Sequence, residues 1–177
     1  MATPCVFFDR DGIVNESPGP GYVERVADFH LIPAFLEALA IAAERGYEAV
    51  IVTNQRGVGR GLMTAETLAD IHAELRQSVQ EAGLAVRDIY VCTANDNAHP
   101  NRKPNPGMLI EAAERHELDL SRSWMIGDNE KDVLAGKRAG CRTILVNDGD
   151  ASTDADHRVP TMAELAACLR SVLHLSR

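Results

Sequence analysis

Val6-Phe7-Phe8-Asp9-Arg10-Asp11-Gly12 is an apolar run that climbs into two carboxylates two residues apart and then breaks at glycine. If Val6 to Asp9 is a strand and the chain stays extended to Asp11, the two-residue side-chain period points both carboxylates the same way, beyond the strand's carboxyl end. In open α/β sheets that edge is where ligands bind. Two like charges so close repel, an arrangement that makes sense where a divalent cation or a catalytic proton sits between them. A strand ending in a polar turn has the same local pattern, so the rest of the chain must decide. A calcium loop of the EF-hand type fails on position, because it needs glycine sixth and glutamate twelfth. Counted from Asp9, Gly12 is fourth and Pro20 is twelfth.

Outward from this stretch, Ser17-Pro18-Gly19-Pro20-Gly21 is dense in turn formers and reads as a loop over the strand end. Pro33 suits a first helical turn, Phe35, Leu36, Leu39, Ala40 and Ala43 follow at helical spacing, and Gly46 closes the helix. Ala49 to Thr53 is apolar and rich in β-branched residues, as expected of a strand buried on both faces, and runs into Asn54-Gln55. Arg56-Gly57-Val58-Gly59-Arg60-Gly61 lacks the spacing of a dinucleotide fingerprint and reads as either a flexible surface loop or a substrate contact. Thr64 caps a helix with Leu68, Ile71, Leu75 and Val79 inward, ending near Gly83. Asp88 to Cys92 is a third strand, and Thr93 to Asn101 a polar loop. In Arg102-Lys103-Pro104-Asn105-Pro106-Gly107, Asn105 is the expected cap of a helix running through Met108, Ala112 and His116. Trp124 to Asp128 is a fourth strand that also finishes on an aspartate. A helix over 129–139 closed by Gly140, a fifth strand over 143–146, a loose connection from Gly149 to His157 and an amphipathic helix from Met162 to Leu173 complete the chain. Strands alternating with helices argue for a parallel sheet with right-handed crossovers. The polar strand ends then meet on one edge.

The chain has 177 residues, enough for one domain with a substantial core, and a single domain spanning 1–177 is expected. Hydrophobic residues are 45% and charged residues 25%, ordinary for a folded globular protein. The net charge of -8, without a basic run, disfavours nucleic acid and fits simple solubility. Cys5, Cys92, Cys141 and Cys168 are scattered without C-x-x-C pairing, which argues against a disulfide framework or a zinc ribbon. Neither a signal-like N-terminus nor an apolar run near membrane-spanning length is present. A cytoplasmic protein with no membrane partner is expected, and a monomer.

Asp9, Asp11, Thr53, Lys103 and Asp128, distant in sequence, would converge at the sheet edge. Oxygen ligands from Asp9 and Asp128, with a backbone carbonyl near Asp11, suit magnesium. Asp9 would attack phosphorus to form an aspartyl-phosphate. Asp11 would protonate the leaving group and then activate water. Lys103 and the Thr53 hydroxyl would hold the phosphoryl oxygens. Asp132, one helical turn after Asp128, reads as support for the metal through its water ligands or as a solvated helix-face carboxylate.

In its ordered motifs the chain resembles the haloacid dehalogenase (HAD) superfamily of phosphohydrolases: Asp9-Arg10-Asp11-Gly12, Thr53, Lys103, and Gly127-Asp128 with Asp132. Phe8 to Gly12 with Asn15, Gly21-Tyr22-Val23, Val52-Thr53-Asn54-Gln55 with Arg60-Gly61, and Arg102-Lys103-Pro104 with Pro106-Gly107-Met108 resemble the branch that holds heptose-bisphosphate and histidinol-phosphate phosphatases. The likeness covers roughly residues 5 to 147. It implies a Rossmann-like three-layer α/β sandwich with five parallel strands in the order 5-4-1-2-3, no large cap domain, and Mg2+ dependence. It also implies that Asn54, Gln55, Arg56 and Arg102 meet a small phosphorylated metabolite. Many members of this branch carry a cysteine- and histidine-rich zinc loop before the arginine-lysine pair. Here only Cys92 and His99 remain, too few for a tetrahedral site, so no structural zinc is expected. Removal of the 7-phosphate of a heptose 1,7-bisphosphate is the leading expectation, followed by histidinol-phosphate hydrolysis. A nucleic-acid 3′-phosphatase and a non-catalytic phospho-accepting module are the more distant alternatives.

Overall fold

The computed structural model describes residues 2–175. Its six strands are all parallel: β1 (Cys5–Phe8), β2 (Glu48–Asn54), β3 (Asp88–Cys92), β4 (Trp124–Gly127), β5 (Arg142–Val146) and β6 (His157–Val159), in the spatial order β3-β2-β1-β4-β5-β6. The helices are α1 (Pro33–Glu44), α2 (Arg56–Gly59), α3 (Ala65–Glu81), α4 (Gly107–His116), α5 (Glu130–Ala139) and α6 (Met162–Val172).

Alternation along the central strand divides the layers. Val6 and Phe8 face a core completed by Phe35 and Leu39 of α1, Ile71 and Leu75 of α3, and Leu165 and Leu169 of α6. Cys5 and Phe7 face the opposite core, with Met108, Leu109 and Ala112 of α4 and Ala135 of α5. The sandwich therefore has three layers, and the strands are apolar on both faces because both are covered. Phe8 and Phe35 pack edge to face at 5.2 Å, which ties β1 to α1 directly under the loop that follows Asp9. The segments after β1 and before Lys103 are too short to form a large cap. Among the described residues, no helix is long and apolar enough to cross a membrane.

Three local expectations are corrected. The sheet has a sixth strand, β6, where a loose connection was expected. Three residues with a single buried apolar side chain, Val159, are too few to show a period, and the strand forms by pairing with Ile144 to Val146 of β5. Asp156 fixes its start, accepting from the Thr143 backbone N–H and from Lys137 Nζ, both at 2.7 Å. The glycine-rich stretch after Gln55 is one turn of helix, α2. Asn105 does not cap α4: Pro106 occupies the cap position, while Asn105 Nδ2 donates to the carbonyls of Asn97 and His99.

Candidate active site

The carboxyl ends of β1, β2 and β4 bring Asp9, Thr53 and Asp128 to one edge, and the segment after β3 brings Lys103 beneath them. Lys103 is 2% exposed. Its Nζ donates to Asp9 Oδ1 at 2.6 Å and to the Val52 carbonyl at 2.8 Å, and pairs with Asp132 Oδ1 at 2.8 Å. Burial alone would pull the ammonium pKa down. The carboxylates of Asp132 and Asp9 more than offset it and hold the pKa above the usual lysine value. Asn54 fixes the lysine backbone reciprocally, its Nδ2 donating to the Lys103 carbonyl and its Oδ1 accepting from the Lys103 N–H.

Asp132 is fully buried, so the reading of it as a solvated helix-face carboxylate is overturned. It closes a capping box at the start of α5: Asn129 Oδ1 accepts from the Lys131 N–H, and Asp132 Oδ2 accepts from the Asn129 N–H. Its other oxygen thereby faces Lys103. Two glycines make room for this crowding. A Cβ on Gly127 would lie 2.3 Å from the Asp132 Cβ, and one on Gly12 would lie 2.1 Å from Asp128 Oδ2. Gly12 also has φ +90°, a conformation other residues seldom adopt.

Carboxylate oxygens of Asp9, Asp128 and Asp132 lie within 4.8 Å of one another. Burial, then the Asp132 charge, pushes Asp9 up to about 7 against the pull of Lys103. The same two causes push Asp128 up to about 6. Three carboxylates facing one lysine leave an excess of negative charge in a poorly solvated place, and hard oxygen donors suit a small divalent cation. The residues fit Mg2+. The Asp11 carboxylate stands outside this cluster, so the contribution expected there is that of its backbone carbonyl.

Asp11 is held differently. Its Oδ1 accepts from Arg10 Nη2 at 3.0 Å and Asn15 Nδ2 at 2.9 Å, and its Oδ2 from Gln55 Nε2 at 2.9 Å. Burial raises its pKa, but Arg10, Asn15 and Gln55 together bring it below the usual carboxylate value. Arg10 is completely buried and places Nη1 3.1 Å from His72 Nε2. Burial, then Arg10, pulls His72 down to about 4, so the ring is neutral at pH 7 and its Nε2 accepts from Arg10.

A cleft of about 330 Å3 opens above this floor. Asp9, Asp11, Asn54, Arg56, Arg102 and Asp128 all line it. Thr53 is 1% exposed and accepts from Gln55 Nε2 at 2.9 Å. Gln55, expected to meet substrate, is instead fully buried and joins Asp11 to Thr53 behind the wall. The extended backbone turns into α2 at this residue, which sends its side chain inward. Arg10, His72 and Lys131 escaped the sequence reading. An arginine between two aspartates is a signal for the first, whereas His72 looks like any polar residue of an amphipathic helix. Near the cleft, Cys92 Sγ and His99 Nδ1 are 3.8 Å apart.

A parallel α/β sheet whose central strand delivers D-x-D-G against a buried lysine and an acidic pair is the architecture of a haloacid dehalogenase-type phosphohydrolase. Residues 100–173 match the HAD-hydrolase-like family model. A D-glycero-beta-D-manno-heptose-1,7-bisphosphate 7-phosphatase of Mesorhizobium japonicum is 35% identical, over 98% of this chain and 84% of the relative. The corresponding D-glycero-D-manno enzyme of Chlorobaculum tepidum is 39% identical over 81% of this chain and 78% of its own. Among solved structures, the D,D-heptose 1,7-bisphosphate phosphatase of B. bronchiseptica, complexed with magnesium and phosphate, superposes with a TM-score of 0.84 at 29% identity, covering 95% of this chain and 98% of that one. The chain belongs to the family of the heptose-1,7-bisphosphate 7-phosphatases.

Proposed function

We propose that this protein is an Mg2+-dependent phosphomonoesterase that removes the 7-phosphate of D-glycero-D-manno-heptose 1,7-bisphosphate through an Asp9 phosphoenzyme. The observation that carries the reading is the pairing of a lysine-clamped nucleophile, Asp9, with two further arginines, Arg56 and Arg102, on the same cleft. One phosphate needs the floor, and a second phosphate needs the guanidinium groups, whose planar fork matches phosphoryl oxygens.

Asp9 Oδ1 is held by Lys103, which leaves Oδ2 to attack phosphorus. The bond from Oδ2 to phosphorus forms as the bond to the sugar oxygen breaks, and the leaving oxygen takes a proton from Asp11. In the free cleft Asp11 is ionised. A phosphate dianion beside it disfavours that charge and raises its pKa, so the proton is acquired as substrate binds. Water then attacks the aspartyl-phosphate, Asp11 takes its proton, and inorganic phosphate leaves as Asp9 is regenerated. Gln55 and Asn15 keep Asp11 in place through both halves. When bound by Asp9, Asp128 and the Asp11 backbone carbonyl, with Asp132 beside them, magnesium supplies the positive charge that offsets this crowded anionic centre. Lys103 keeps the nucleophile in place, its three N–H groups going to Asp9, Asp132 and the Val52 carbonyl, and Thr53 braces Gln55 behind Asp11.

The unit of function is the single domain 1–177, a monomer in the cytoplasm acting on a small molecule, with no nucleic-acid or membrane partner. The four free cysteines suit a reducing compartment, and the net charge of -8 opposes binding to a phosphate backbone. Steady-state kinetics with Mg2+ on both anomers of the heptose bisphosphate, heptose 7-phosphate and histidinol phosphate test the reading. We expect kcat/KM for a bisphosphate anomer to exceed that for histidinol phosphate by at least about tenfold, since loss of a charge-assisted contact costs about 1.5–3 kcal/mol. Equal or better turnover of histidinol phosphate overturns it.

A further inference from the structure

The wall of the cleft that carries Arg102 is held by side-chain amides. Asn105 Nδ2 donates to the Asn97 carbonyl at 3.3 Å and the His99 carbonyl at 3.0 Å, and Asn95 Nδ2 donates to the Gly59 carbonyl at 2.7 Å. From this anchored backbone Asn97 turns its side-chain oxygen toward both arginines of the cleft. Asn97 Oδ1 accepts from Arg56 Nη2 and, at 3.1 Å, from Arg102 Nε. The same guanidinium groups reach main-chain carbonyls, Arg56 Nη2 to Asn95 at 2.9 Å and Arg102 Nη1 to Ala94 at 3.4 Å.

What sets the pair apart is that two guanidinium groups, neither with a counter-charge, share one acceptor. Some arginines of the chain pair with acids, Arg25 with Asp28, Arg76 with Asp88 and Arg170 with Glu37, while Arg45, Arg138 and Arg158 donate to main-chain carbonyls. The chain has 26 acidic residues against 18 basic ones, so an acidic partner is easy to supply. Yet Arg56 and Arg102 have no carboxylate partner among the described residues, and they are gathered about one neutral oxygen. The two cations feel each other: burial, then Arg56, lowers the Arg102 pKa. Neither Arg56 Nη1 nor Arg102 Nη2 is used in a hydrogen bond among the described residues, so both remain available to a ligand. Holding two like charges together without neutralising them favours an anion of high charge over a neutral or singly charged group.

We propose that Asn97 is a specificity-determining positioning residue, whose side-chain oxygen holds Arg56 and Arg102 as an uncompensated pair for the second phosphate of the substrate. This rests on the bisphosphate reading above. An amide is needed because a carboxylate of the same shape would hold the same two arginines while cancelling part of their charge. The decisive variant is therefore Asn97→Asp, which keeps shape and acceptor and changes only charge. Asn97→Ser draws the acceptor back toward the backbone and Asn97→Ala removes it, in both cases without adding charge.

The experiment measures kcat and KM of wild type and all three variants on the heptose bisphosphate and on heptose 7-phosphate, at low and at high salt. The quantity read is the ratio of the two kcat/KM values. For Asn97→Asp we expect that ratio to fall about five- to tenfold, mostly through KM for the bisphosphate, since a charge pair competes directly with the ligand. The deficit should shrink as salt screens the added carboxylate. Asn97→Ser and Asn97→Ala should lower the ratio by about two- to fivefold with little salt dependence, as loosened but still charged arginines would. If wild type prefers the bisphosphate and Asn97→Asp keeps that ratio, the role of Asn97 is wrong and the substrate reading stands. A wild type that shows no preference for the second phosphate sinks both. Should Asn97→Asp fold poorly by circular dichroism, an unchanged ratio in the serine and alanine variants overturns the proposal equally.

Discussion

The floor and the rim of the cleft are built on opposite physical terms. On the floor, Asp9, Lys103 and Asp132 are at most 6% exposed and interlocked by ion pairs of 2.6 and 2.8 Å. Asp9 follows the end of β1, Asp132 lies in the first turn of α5 and Lys103 in the turn before α4, and removing one leaves another buried without its partner. At the rim, Arg56 and Arg102 are half-buried, come from a one-turn helix and a loop, and meet at the exposed Asn97. Here solvent screens each charge, and contacts are single hydrogen bonds. The difference teaches that the catalytic floor is guarded by desolvation, whereas the substrate choice proposed for the rim would rest on replaceable surface groups.

The sharpest way to separate the two regions is Asp9→Asn. It removes the nucleophile while keeping shape, and turnover should fall at least about a thousandfold with the far-UV circular dichroism unchanged, because the covalent step has no substitute. Residual activity within tenfold of wild type would end the phosphoenzyme assignment.

Lys103→Met attacks the floor's stability as well as its chemistry. Asp9 and Asp132 would lose their shared cation, at a cost of about 3–5 kcal/mol in urea unfolding near neutral pH. The loss should be smaller near pH 5, where Asp9, with its pKa raised to about 7, takes up a proton instead. A loss under about 1 kcal/mol at neutral pH would mean the floor is as screened as a surface pair.

Metal removal probes the same region more gently. Asp9 rises from 3.8 to about 7 and Asp128 from 3.8 to about 6 on folding. Both folded values exceed the unfolded ones, so their contribution is fully present below 3.8 and lost as pH climbs through 6 and 7. His72 has the opposite sign, falling from 6.5 to about 4, so its contribution is lost as pH drops through that window. The difference between melting in Mg2+ and in chelator largely cancels the His72 effect and isolates the carboxylates. That difference should widen by several degrees from about pH 5.5 to about pH 7.5, because protons compete with the cation for the same oxygens. Equal shifts at both pH values would place the cation elsewhere.

The rim should respond least. Arg102→Lys keeps the charge but loses the fork and the Nε–H that meets Asn97, and KM for the bisphosphate should rise about five- to tenfold with a smaller change in kcat. A larger loss in kcat than in KM would move Arg102 from the rim to the floor.

Much of the floor could be read in the chain because each of its parts is announced locally. Val6 to Phe8 and Trp124 to Gly127 are apolar runs that end on aspartate, and the two-residue period carries Asp9 and Asp11 past the strand end. Glycine beside an aspartate is a visible mark, though its cause is not: a Cβ there would come within 2.1 Å of Asp128 or 2.3 Å of Asp132. Arg10 was hidden by its own chemistry: an arginine in a sequence reads as a surface group, and only the acceptors on Asp11 and His72 make full burial tolerable. Gln55 was misplaced because its direction depends on where β2 stops and α2 starts. The strand β6 was invisible because its stability comes from β5, not from its own three residues.

The sequence by itself determined that the sheet is parallel and α/β, that its strand ends carry acids and a lysine, and that the kit is one for phosphoryl transfer. These follow from periods of two and 3.6 residues and from residue chemistry, which act over a few positions. Only the tertiary structure decided which charges meet. Lys103 lies 94 residues from Asp9 and still donates to it at 2.6 Å. It likewise decided that Asp132 faces the lysine and not solvent, and that Asn97 gathers two arginines without neutralising them. Such pairings depend on strand order and burial, and on the energetic cost of a charge left unpaired away from water, none of which is written in any short stretch of the chain.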